Sequence, residues 1–174
     1  MQVVAISFPA VDIAPGTTIG TANILFDVDE IRPGQSDQKV SITIFGEASA
    51  NPAPLTAGSY DLSNRDTTSA AEMWTPASSA NAHEDLVTSD ISSIMNEIVR
   101  LPGWVSGNAM VILFGHVSGR GVRWVESARE NNGIMTPALR WTTLCGSGLD
   151  SVGLSLTNDR AVPVVIAIRQ RDSR

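Results

Sequence analysis

Three stretches near the N-terminus alternate apolar with other residues at a period of two, and one later stretch switches to the period of a helix. Residues 3–8, VVAISF, place Val4, Ile6 and Phe8 on one face. Residues 19–28, IGTANILFDV, do the same with Ala22, Ile24, Phe26 and Val28, and residues 39–46, KVSITIFG, with Val40, Ile42 and Ile44. A period of two sends successive side chains to opposite faces of a strand, so each stretch predicts a half-buried strand. The segments between them, "IAPGTT" and "DEIRPGQSDQ", are polar and contain Pro-Gly, which suits antiparallel neighbours.

Residues 89–100, SDISSIMNEIVR, break this pattern. Ile91, Ile94, Met95, Ile98 and Val99 fall at i, i+3, i+4, i+7 and i+8, one helical stripe. Ser89 or Asp90 can cap the first turn, Arg100 suits the last, and Pro102-Gly103 stops the helix. Further strands are predicted at 69–74 (SAAEMW), 109–116 (AMVILFGH), 121–128 (GVRWVESA), 138–144 (ALRWTTL), 152–156 (VGLSL) and 163–171 (PVVIAIRQR). The continuous apolar run at 109–116 is the signature of a central strand covered on both faces. Residues 47–68 read as a long surface excursion with one short strand near Tyr60. The sum is an all-β, antiparallel, jelly-roll-like sandwich of about nine or ten strands with one amphipathic helix, a single domain over residues 1–174.

Composition agrees with a β surface. Charged residues make up only 17% of the chain, against about a quarter in ordinary domains, and Ser, Thr, Asn, Gly and Ala take their place. A net charge of −6 with a single lysine, Lys39, argues against a nucleic-acid partner, whose phosphates need clustered cations. One cysteine, Cys145, excludes an internal disulfide and a cysteine-based metal site. No apolar run reaches about 18 residues, so no membrane span is expected, and Met1 leads into a strand pattern without a signal peptide.

The stretch "RLPGWVSGNAMVILFGH" at 100–116 holds the candidate nucleophile Ser106 and the candidate base His116. The hydrolase elbow is G-x-S-x-G between a strand and a helix, whereas Gly103-Trp104-Val105-Ser106-Gly107 has the wrong spacing and follows a helix. Ten residues of extended chain place His116 about 30 Å from Ser106. The stretch therefore reads as a structural corner: Pro102 and Gly103 end the helix, Trp104 plugs the end of the sandwich, and Gly107-Asn108 turn the chain.

His83 and His116 are the only histidines and lack H-x-H or H-x-x-x-H spacing, so each reads as a surface or strand-end residue. Asp27, Asp29 and Glu30 form the acidic cluster with the best pattern for a metal. Asp27 and Asp29 share a strand face and Glu30 opens a loop; with EF-hand spacing absent the cluster reads first as a solvated strand end, and as a structural calcium site only in the second place. No other cofactor is implied. Glu47, Glu72, Glu97 and Glu126 are carboxylates that nothing in the sequence pairs. Trp74, Trp124, Trp141 and Tyr60 are candidates for stacking on a sugar if a sheet face exposes them, and core residues otherwise. Gly119-Arg120-Gly121 reads as a hairpin turn.

The order "SNRDTTSAAEMW", "DISSIMNEIVRLPGWVSGNAMVILF", "ESA" and "TPALRW", after "VVAISFPAVDIAPGTTIGTANILFDVDE" and "VSITIFGEASAN", resembles a β-sandwich module of large exported bacterial proteins. That family is related to the jelly-roll carbohydrate-binding-like modules of the disaggregatase-related (DNRLRE) type. The resemblance covers roughly residues 2–142 and implies a non-catalytic module for display, adhesion or glycan contact, with no catalytic residue to transfer. Family members carry further strands before the point where this chain starts and end near Trp141, so residues 143–174 are an addition. Those C-terminal strands are expected to fill a sheet edge, either in their own sandwich or in a neighbouring subunit.

The sequence thus reads as a structural or assembly module, not an enzyme, displayed on a larger body such as a virion, fibre or surface layer, with self-association or other protein partners. The alternative is a carbohydrate-binding module that stacks aromatic rings on a glycan.

Overall fold

The structure is a computed structural model that describes residues 3–56, 61–78, 81–126, 137–145 and 148–156. The strands are β1 (Val4–Phe8), β2 (Thr18–Asp27), β3 (Val40–Glu47), β4 (Thr67–Trp74), β5 (Asp85–Val87), β6 (Met110–Gly119), β7 (Ala138–Cys145) and β8 (Gly148–Leu156), with one helix, α1 (Ser92–Ile98), between β5 and β6. They form two antiparallel sheets in the orders β1-β6-β3-β4 and β5-β2-β7-β8. The chain crosses repeatedly between the sheets, and the result is an all-β sandwich.

The alternation read from the sequence points inward as expected. Ile6, Phe8, Ala22, Ile24, Phe26, Val28, Val40, Ile42 and Ile44 are buried. Strand β6 is covered on both faces, which accounts for its unbroken apolar run. Met110, Ile112 and Phe114 enter the main core, while Val111 and Leu113 lie with Ala5 on the outer face of the first sheet. Phe45 and, from the 48–66 excursion, Leu55 and Leu62 close over that second cluster.

Among the described residues there are eight strands rather than nine or ten. Of the segment expected as a strand at 121–128, the described residues 121–126 join the ladder through the bridge Val28–Val125 alone, because Arg123 bonds outside a ladder. Arg123 is buried and donates to the carbonyls of Gln38, Pro76, Ala77 and Val122. Gly119 and Gly121 accordingly make no hairpin. The amides of Arg120 and Gly121 both bond Lys39 O, and an added Cβ would lie 2.4 Å from Lys39 O at Gly119 and 2.1 Å from Gln38 O at Gly121. Residues 61–64 form turns, while Tyr60 and the 163–171 segment lie outside the described residues. The short strand β5 lies outside every strand expected from the sequence and pairs with the end of β2.

Helix α1 is shorter than the expected 89–100 at both ends. At its start, the Asp90 carboxylate accepts the amides of Ala22 and Ser92, and Ile91 N–H bonds Ala22 O, which ties these residues to β2. At its end, tighter turns take over, in which Arg100 N–H bonds Glu97 O and Leu101 N–H bonds Ile98 O. The helix packs against β2, β3 and β4 and so touches both sheets. Gly46 permits this approach: a Cβ there would meet Ile98 Cδ1 at 2.6 Å and Ile94 Cγ2 at 2.8 Å.

The corner after the helix is structural. Trp104 is buried and its indole N–H bonds Ile13 O at 2.9 Å. Gly103 and Gly107 adopt φ of +92° and +93°, where L side chains are strained. Gly107 N–H reaches Val11 O, and the Asn108 amide group reaches Ala50 O.

Candidate metal centre

Strand β2 ends at Asp27, where period-two alternation has turned Phe26 and Val28 inward and left the Asp27 carboxylate on the outer face. Two other segments converge on this point. His83 N–H bonds Val28 O at 2.7 Å, and Val28 N–H bonds Glu84 O at 3.1 Å, which docks residues 83–84 along the strand end. From the other side, Glu126 N–H bonds Asp27 O at 2.9 Å and Asp29 N–H bonds Trp124 O at 3.0 Å. Backbone bonds thus bring three side chains together. Asp27, His83 and Glu126 each offer one ligand atom, and these atoms lie within 4.8 Å of one another.

The three differ in exposure. Glu126 is buried, Asp27 is partly covered, and His83 stands at the rim with its side chain 59% exposed. His83 Nδ1 lies 3.1 Å from Asp27 Oδ1. A left-handed backbone at His83, φ 63°, aims the ring.

Of the acidic cluster read from the sequence, only Asp27 belongs to this centre. Glu30 pairs with Arg32 at 2.8 Å, and that guanidinium holds the Glu30 carboxyl below the usual range. Asp29 follows the end of β2, where the ladder has shrunk to one bridge, so strand alternation no longer governs its direction. The missing partners, His83 and Glu126, had no local signal. His83 is 56 residues from Asp27, and only the pairing around Val28 joins the three segments.

The other candidate residues have structural surroundings. Trp74 is 4% exposed, bonds Val87 O through its indole N–H at 3.0 Å, and packs its ring against Phe26 and Phe114. Trp141 is 5% exposed. Neither ring offers a sugar a face. Trp124 is half-buried, and the Arg32 guanidinium lies 4.0 Å above its ring. Ser106 Oγ donates to the Asp12 carboxylate, whereas His116 packs edge-on against Phe45 from within β6.

The remaining carboxylates are also separated. Glu72 accepts from Ser93 Oγ at 2.8 Å. Glu97 accepts the amides of Ser69 and Ala70 on edge strand β4 at 2.8 and 2.7 Å, which occupies part of that edge. Glu47 belongs to a cleft of about 550 Å³, lined also by Asp61, Asn64, Arg65 and Asp66. There Arg65 binds Glu47 Oε2 at 2.6 Å, Asp61 Oδ1 at 3.0 Å and the carbonyls of Ala53 and Pro54. Those contacts commit its guanidinium to holding the excursion in place.

No helix among the described residues is long and apolar enough to cross a membrane. Comparison of the chain with protein-family models, with curated proteins and with solved structures gave no match.

Proposed function

We propose that this chain is a structural module that works by joining a larger protein assembly through its sheet edges, with a virion, fibre or surface layer as the body that carries it. The observation behind this reading is the position of β8. Among the described residues it is the outer strand of the second sheet, bonded to β7 within the same chain from Ala138–Leu156 to Cys145–Gly148. The VGLSL part of the C-terminal addition therefore pairs in cis. No described strand pairs with its far edge, whose backbone donors and acceptors are a template for another strand. The burial of Trp74 and Trp141 favours this reading over the glycan-binding alternative, because it withdraws two of the candidate stacking rings.

Sedimentation analysis over a range of concentrations tests the proposal. Wild-type chain is expected to form a defined oligomer or polymer, and lysines placed along β8 at Ser151 and Ser155 are expected to weaken it. A chain that stays monomeric throughout, or assembly indifferent to both lysines, overturns it.

A further inference from the structure

We infer that Asp27, His83 and Glu126 bind a divalent transition metal of the zinc class, which pins three chain segments together at the end of β2. The donor set selects the ion. One imidazole nitrogen with two carboxylate oxygens suits zinc and its neighbours, whereas calcium takes six to eight oxygens.

The spacing suits it as well. Adjacent ligand atoms around a tetrahedral zinc are about 3.3 Å apart for bonds of about 2.0–2.1 Å. Asp27 Oδ1 and His83 Nδ1 are already 3.1 Å apart, and a small inward movement within the 4.8 Å span seats Glu126. Glu126 is only 6% exposed and lies next to a second carboxylate, an arrangement that a cation stabilises. Exposed His83 gives the ion a way in from solvent, and three protein ligands leave the fourth position to water.

The test uses the whole chain after chelator treatment, titrated with zinc chloride by calorimetry and followed by thermal unfolding. One zinc per chain is expected, with a melting temperature that rises with zinc concentration because the ion binds only the folded state. His83→Gly removes the nitrogen ligand and suits the positive φ, so it should fold and yet bind zinc at least about tenfold more weakly. Glu126→Gln should weaken binding similarly, whereas Asp29→Asn and Glu30→Gln should leave it unchanged. Absence of zinc binding by the wild-type chain overturns the inference. So does unchanged affinity in folded His83→Gly, or a preference for calcium that His83→Gly does not alter.

Discussion

Replacing Trp104 by alanine tests whether the corner after α1 is a packed plug. The ring is 3% exposed and its N–H holds Ile13 O. A buried tryptophan removes roughly 200 Å² from water, and at about 25 cal/mol per Å² this amounts to about 5 kcal/mol as an upper figure. Alanine keeps a small part of that area. The orphaned Ile13 carbonyl adds about 1 kcal/mol of loss. The expected cost is therefore about 3–5 kcal/mol, the usual range for a buried aromatic truncated to alanine. Against a total stability of about 5–15 kcal/mol this can unfold the chain, so Trp104→Phe, which keeps most of the volume, is the companion variant. It should cost about 1–3 kcal/mol through the lost hydrogen bond and the imperfect fit. Ser106→Ala, two residues away with an exposed partner in Asp12, should stay within about 0.5 kcal/mol of wild type. Urea unfolding followed by far-UV circular dichroism reads all three. A Trp104→Ala midpoint equal to that of wild type would show that the ring does not plug the sandwich.

Other sites give sharp expectations. Gly46→Ala should cost about 1–3 kcal/mol by driving a methyl into Ile98 and Ile94, and Ile98→Val in the same chain should recover part of it in a double-mutant cycle. Arg123→Lys should lose about 1–3 kcal/mol in urea unfolding, because three donors on a compact ammonium cannot replace a guanidinium spread over four carbonyls. The Thr56 backbone N–H, followed by the Arg65 side chain, holds the Asp61 carboxyl below its usual value of 3.8. A lowered folded-state pKa gives stabilisation that is complete above the unfolded value and disappears as pH falls through the folded one. The Thr56 amide resonance should therefore move in an acid titration below about pH 4, and Asp61→Asn should abolish that transition.

Local patterns carried much of the fold. Alternation in β1, β2 and β3 determined which residues face the core, because a strand has only two faces and water excludes apolar groups from one of them. The apolar run of β6 marked a strand covered twice, and the stripe from Ile91 to Val99 marked the helix that meets both sheets. Pro102, Gly103 and Gly107 marked the corner through their restricted or permissive backbones. Tertiary structure alone decided the rest. GVRWVESA alternates like a strand in sequence, but the chance to satisfy Arg123 with the carbonyls of Gln38, Pro76 and Ala77, all remote along the chain, pulls residues 121–126 out of a ladder. Asp27 looked like the partner of Asp29 and Glu30, its neighbours in sequence, yet its companions are His83 and Glu126. Ligand convergence depends on distance in space, and the bonds that bring these three together are made by backbone groups, which every residue carries and no side-chain pattern records.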